Sequence, residues 1–281
     1  MVDCHMHMIL DGFEWRGAIR RHAEKPDEAW IRRILETYQL KGFTYLRDGG
    51  DRWGAGAKAR ELALEYGITY RTPLAPLCLA GHYGAFIGEK YTDLKEYAAL
   101  VKKARREGAD FIKIMISGLM DFDRFGVLTE EGLPSDLIGQ LIHIAHEEGF
   151  AVMAHANGAR TVEAAAAAGV DSVEHGAYLD ADALRAMAEN GTVWVPTLST
   201  IGNLRGKGRF CEDAVQKILS GALHNVAAFA AMGGLLAPGS DAGAWAVEHG
   251  MESEYALLGQ ALGENAASVL DKGIQVIREK F

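Results

Sequence analysis

The sequence predicts a parallel α/β fold, the eight-stranded (β/α)8 TIM barrel, and three observations lead there. Short apolar runs of strand character alternate with segments of helical period from end to end. Each run is followed by Gly or another turn-former. Five of the runs also end in, or contain, a metal-binding or cationic side chain: His5 and His7, then Lys113, His155, His175 and Asp241. In a barrel the C-terminal ends of all strands face one mouth, so these groups converge, whereas in an open sheet the first and last strands usually lie too far apart.

The first strand, 2–7, carries His5 and His7 two residues apart, a spacing that points both imidazoles to one face and leaves Val2, Cys4, Met6 and Met8 for the other. A helix over 27–40 follows from Trp30, Ile31, Ile34, Leu35 and Tyr38, and a strand over 43–48 comes next. Then come a helix at 54–66, a strand at 68–79 and a helix at 93–107, the last with Leu94, Tyr97, Ala98, Val101 and Ala104 in phase. The strand at 110–117 holds Lys113, the helix at 135–148 starts at Ser135 as N-cap, and the strand at 150–155 ends in His155. A helix at 158–168, a strand at 171–175 ending in His175 and a helix at 180–190 capped by Asp180 follow. Strand 192–197, helix 212–232 and strand 234–240, just before Asp241, complete the set. Gly42, Gly67, Gly108, Gly149, Gly169 and Gly191 stand where helices should stop.

The Gly-rich phosphate fingerprint of a dinucleotide-binding sheet is missing after the first strand. No linker, internal repeat or low-complexity tract divides the chain, so residues 1–281 are expected to form one barrel domain with a helical tail after about residue 261. The run Ala164 to Ala168 is a strong helix former.

A net charge of −9 disfavours a phosphate backbone, which excludes nucleic acid as the expected partner. No 18-residue apolar run is present, so no membrane span is expected, and the closeness of His5 to the start leaves no room for a signal peptide. Cys4, Cys78 and Cys211 form an odd, widely spaced set without CxxC, the pattern of reduced thiols and a cytoplasmic setting.

The order HxH, Lys, His, His, Asp on successive strand ends resembles the amidohydrolase superfamily, in its binuclear subtype with a carboxylated lysine. Gly42-Phe-Thr-Tyr-Leu-Arg-Asp-Gly-Gly50, Asp110-Phe-Ile-Lys-Ile-Met115, Gly169-Val-Asp-Ser-Val-Glu-His-Gly176 and Val195-Pro-Thr-Leu198 are similar to its imidazolonepropionase-like and prolidase-like branch. The resemblance implies that His5, His7 and Asp241 bind one divalent ion and His155 and His175 a second. Lys113, carrying a carbon dioxide-derived carbamate, would bridge them. An unmodified ammonium beside two dications would be repelled, and the carbamate removes that conflict. Four histidines with few carboxylates suit zinc best, with manganese, iron or cobalt fitting the same cage. The implied reaction is hydrolysis of a C–N bond in a small amide, peptide or cyclic amide by a metal-bridging hydroxide, with Asp241 as the proton carrier. His82, in Ala80-Gly-His-Tyr-Gly84, matches a family Gly-His loop and is expected to face the developing oxyanion; Tyr178 is expected at the same mouth.

Lactonase or phosphotriesterase chemistry on the same cage is the alternative, and a catalytically silent metal-binding relative is a further one. Arg205, Lys207 and Arg209 form a basic cluster after strand 7, read either as a receiver for a substrate carboxylate or as a solvated Gly-rich loop. His143 and His146 read as helix-surface residues, and His22, His224 and His249 have no ligand context. Two departures from the relatives stand out. The small β-sandwich usual beside the barrel has no segments to build it, so the barrel bottom is expected to be covered by a partner subunit in a homo-oligomer. Ser117-Gly-Leu119 also replaces the usual double glycine after the lysine.

Overall fold

A computed structural model describes all 281 residues. The strands are β1 (Val2–Met6), β2 (Tyr45–Asp48), β3 (Thr69–Arg71), β4 (Leu77–Leu79), β5 (Glu89–Tyr91), β6 (Ile112–Met115), β7 (Val152–Ala156), β8 (Ser172–His175), β9 (Val193–Val195) and β10 (Leu235–Leu236). The helices are α1 (Trp15–Arg21), α2 (Glu28–Leu40), α3 (Ala55–Ala63), α4 (Leu94–Glu107), α5 (Ser135–Glu147) and α6 (Ala159–Ala167). After them come α7 (Ala181–Glu189), α8 (Ser199–Gly202), α9 (Glu212–Ala231), α10 (Ser253–Leu262) and α11 (Ala266–Lys280).

All ladders are parallel, but they do not form one closed ring of eight. They fall into a three-stranded sheet, β1-β2-β3, and a seven-stranded sheet, β10-β9-β8-β7-β6-β4-β5. The strand expected over 68–79 is broken because Pro73 and Pro76 lack the N–H a ladder needs and Leu74 takes a left-handed turn between them. The last strand is cut to two residues for a similar reason, since Pro238 and Gly239 follow it. Single hydrogen bonds join the two sheets in two places. Cys4 N donates to Pro238 O at 2.8 Å, Asp241 N to His5 O at 2.7 Å and His7 N to Ala242 O at 2.7 Å. On the other side Asp110 N, just before the interior strand β6, donates to Thr72 O, just after β3, at 3.0 Å.

Simple alternation also fails in β1. Between Asp3 and Met6 this strand advances three residues while β2 advances from Leu46 to Asp48, a bulge. Val2 and Cys4 therefore pack with Tyr45, Phe111, Met153 and Val195 in one cluster. Met6 and Met8 instead pack against Ile31, Ile34, Leu35 and Tyr38 of α2. The shared apolar face expected for Val2, Cys4, Met6 and Met8 is split by one residue.

Helices fall close to their predicted spans, and their ends have identifiable causes. Asp27, Asp93 and Asp180 accept hydrogen bonds from the first turns of α2, α4 and α7. Ser135 is instead the first residue of α5, behind Pro134, and caps nothing. Gly108 ends α4 in the left-handed conformation that the missing Cβ permits. The tail folds as α10 and α11, and Ile277 and Phe281 complete the cluster around Val2 and Phe111. The strand bases are thus covered by the chain's own last helix, in the place where a partner subunit was expected.

Candidate metal centre

At the C-terminal strand ends the six predicted side chains meet. His5 Nε2 lies 3.3 Å from His7 Nε2, 3.1 Å from Lys113 Nζ and 3.5 Å from Asp241 Oδ1. His7 Nε2 is 3.3 Å from the same Asp241 oxygen, and Asp241 Oδ2 is 4.0 Å from His175 Nδ1. The His155 ring stands 4.6 Å from that of His175, which stands 5.0 Å from that of His5. Donor atoms of His5, His175 and Asp241 all lie within 4.8 Å of one another.

The surroundings orient each ring. Glu174 Oε2 accepts from His5 Nδ1 at 2.8 Å, which turns the Nε2 lone pair toward the cluster. Arg47, fully buried, donates to the other Glu174 oxygen at 2.8 Å, to Ser172 Oγ and to the Cys4 carbonyl. His155 Nε2 donates to Gly118 O at 3.1 Å, and the same carbonyl accepts from Asn157 Nδ2. Ser117 Oγ accepts from Asn157 N at 2.8 Å, so the Ser-Gly pair that departs from a double glycine is what fastens this loop to His155. His175 Nδ1 is 2.8 Å from Thr197 Oγ1.

Backbone strain gathers here. His175, Thr197 and Asp241 all have positive φ without being glycine, at 71°, 48° and 56°. Such conformations cost about 1–3 kcal/mol each and persist where the surroundings enforce them.

Electrostatics prepare the site for cations. Burial lowers the pKa of all four histidines, well below the ordinary value for His5 and His155 and to about 4 for His175; the nearby Lys113 charge adds to the effect at His7. They are neutral imidazoles, the form that binds metal. Burial opposes charge on Asp241, yet the hydrogen bond with His7, aided by the Lys113 charge, holds its carboxyl below the usual range. Burial lowers Lys113 to about 8. His7 Nδ1 is buried without a hydrogen-bond partner. Neutral, convergent nitrogens beside an ionised carboxylate, one of them (His7 Nδ1) left without a partner, fit divalent metal.

A cavity of about 440 Å³ opens over the cluster. His7, Lys113, His155, His175 and Asp241 line its floor, and Phe86, Phe122, Phe210 and Trp245 are among its walls. His82 is not in the lining: it is half exposed, 3.4 Å from Glu130. Its neighbour Tyr83 lines the cavity instead, with its ring 4.8 Å from that of His155. Tyr178 is also outside the lining and packs edge-on to Phe125. Of the basic cluster, Arg209 alone reaches the cavity. His146 pairs with Asp171 at 2.9 Å, and the buried His249 bonds to Leu10 O, both away from the cluster.

Sequence reading missed Glu174, Arg47, Asn157 and Thr197. A signal existed for the first two: each is a charged residue inside a short apolar strand, the criterion that singled out Lys113.

Over 141 residues the chain is 31% identical to an uncharacterized protein of Mycobacterium tuberculosis, a match covering 48% of this chain and 38% of that protein. It is 28% identical to the ochratoxinase of Aspergillus niger over 153 residues, 51% of this chain and 28% of the enzyme. Among solved structures, a Xaa-Pro dipeptidase with bound methionine superposes with a TM-score of 0.78 at 20% identity, covering 100% of this chain and 75% of that one. The A. niger ochratoxinase structure gives 0.79 at 20% identity, covering 100% and 70%. These structural likenesses establish a shared fold. Residues 1–275, which include every member of the cluster, match the model of the Amidohydrolase family, and the chain belongs to that family.

Proposed function

We propose that this chain is a metal-dependent hydrolase that cleaves the C–N bond of a small amide, peptide or cyclic amide, and that its two sheets close as a (β/α)8 barrel. The observation that carries the reading is the meeting of four neutral histidines, an ionised aspartate and a buried lysine beneath one cavity. The hydrogen bonds that join the two sheets in two places support closure. The shared fold of a Xaa-Pro dipeptidase supports an amide-type bond.

His5, His7 and Asp241 would hold one divalent ion and His155 and His175 a second, with zinc best suited to the donor set. When bound, such a pair supplies Lewis acidity and a water that ionises near neutral pH. Lys113 is enclosed and its pKa is lowered to about 8, so the neutral amine is accessible near pH 7. That amine adds to carbon dioxide: an N–C bond forms, one proton leaves, and an anionic carbamate results, with two oxygens to offer. Asp241 accepts the proton of the attacking water and passes it to the departing nitrogen. The aromatic walls hold the apolar part of the substrate and keep bulk water out. The free thiols Cys4, Cys78 and Cys211 suit a reducing compartment such as the cytoplasm.

A panel of N-acyl amino acids, dipeptides, cyclic amides, lactones and aryl phosphotriesters tests the reading. The metal-loaded protein should hydrolyse members of the amide set, lose that activity to a chelator, and regain it with added zinc or manganese. Activity confined to lactones or phosphotriesters would overturn the choice of bond.

A further inference from the structure

Outside the ligand cluster the cavity has one cationic side chain, Arg209. Its guanidinium carbon sits 4.2 Å over the Trp245 ring and 5.3 Å from Phe210. Those two rings stand nearly perpendicular at 88°, and Phe210 packs in turn on Phe122. Trp245 and Phe210 therefore flank the guanidinium of a residue that is itself exposed. Face stacking leaves the N–H donors at its edge unused, and no carboxylate lies within 4 Å to take them. The other two cations of the cluster differ. Arg205 turns back to donate to Gly202 O at 3.2 Å, and neither it nor Lys207 lines the cavity. The single acid in the lining is Asp241, which is engaged with His7 on the floor. A stacked, unpaired guanidinium over an apolar cavity is complementary to a carboxylate beside an apolar group, because a planar fork of donors matches two carboxylate oxygens.

We propose that Arg209 is a specificity-determining residue that receives a free carboxylate of the substrate, which makes the substrate class an N-acyl amino acid or dipeptide with a bulky apolar side chain. The inference rests on the amide-hydrolase reading above, and the experiment separates the two. N-acetyl-L-phenylalanine and its carboxamide are compared, for binding by calorimetry and for amide hydrolysis, with metal-loaded wild type, Arg209→Gln, Arg209→Lys and the paired control Arg205→Gln with Lys207→Gln. Wild type should favour the free acid by about ten- to a hundredfold in Kd, the range of a charge-assisted hydrogen-bonded pair. Arg209→Gln should lose most of that preference, Arg209→Lys should keep part of it, and the paired control should keep all of it. Binding preference that depends on Arg209 in a protein that hydrolyses no amide sustains the carboxylate site and sinks the amide-hydrolase reading. A preference unchanged in Arg209→Gln, or equal binding of acid and carboxamide by wild type, overturns the carboxylate site even where amides are hydrolysed.

Discussion

Glu174 Oε2 accepts from His5 Nδ1 at 2.8 Å in a fully buried contact, while Arg47 and Ser172 donate to its other oxygen at 2.8 and 2.6 Å. The carboxylate fixes the tautomer of His5, and Arg47 fixes the carboxylate. Glu174→Gln keeps the volume but weakens the acceptor. It should lower metal affinity by about 10–100-fold, with little loss of folding. Competition with a metal-sensitive dye measures this, and wild-type affinity in the variant would contradict the orienting role.

Removing Arg47 should be a different lesion. Arg47→Met leaves the Glu174 charge buried without its cation, which costs about 3–5 kcal/mol of stability. Thermal or denaturant unfolding of the metal-free protein should show that loss. Arg47→Met combined with Glu174→Gln should recover part of it, because the uncompensated charge is gone.

Gly49, just past β2, makes room for the site. A Cβ there would stand 2.1 Å from His7 Cε1 and 2.7 Å from Lys113 Nζ. Lysine could shift its end, but the imidazole can move only as a whole ring. Gly49→Ala is expected to reduce metal binding by at least about tenfold, in line with overpacking costs of about 1–3 kcal/mol. Retention of wild-type metal content would show that the ring has slack.

Glu254 gives a pH signature. Ser199 donates to its Oε2 from N and Oγ at 2.7 and 2.9 Å, and burial raises its carboxyl from 4.5 to about 8. The folded state therefore keeps a proton that the unfolded state releases above about pH 4.5. The stability from this group is full below that pH and declines as pH rises toward about 8, by up to ~1.4 kcal/mol per unit. Glu254→Gln lacks that decline, so its melting temperature relative to wild type should improve steadily from about pH 5 to pH 8.5. A difference independent of pH would contradict the raised pKa.

The clustering of these side chains was legible in the sequence because strand ends, helical period and a short list of metal-binding residue types coincide. His5, His155, His175 and Asp241 needed only their place at the end of an apolar run. What was not legible has local causes. The bulge in β1 turns on one extra residue that no periodicity reveals, and the breaks at Pro73, Pro76 and Pro238 were hidden inside runs that otherwise read as strand. His82 was chosen by motif, but the turn at Gly81 to Gly84 places the adjacent Tyr83 in the lining. Nothing in a linear pattern tells which of Arg205, Lys207 and Arg209 lines the cavity, because the contact that places Arg209, its stacking on Trp245, is a tertiary one.

The central claim is that Lys113, as an anion, joins two metal ions, and metal content of Lys113→Ala tests it most directly. Wild type should carry two ions per chain. Lys113→Ala should lose much of its metal and nearly all its turnover, and a short carboxylic acid added with fresh metal should restore part of both by offering the same two oxygens. Lys113→Arg should not be rescued, because its guanidinium fills the space and stays cationic. A Lys113→Ala protein that keeps two ions and full turnover would contradict the account.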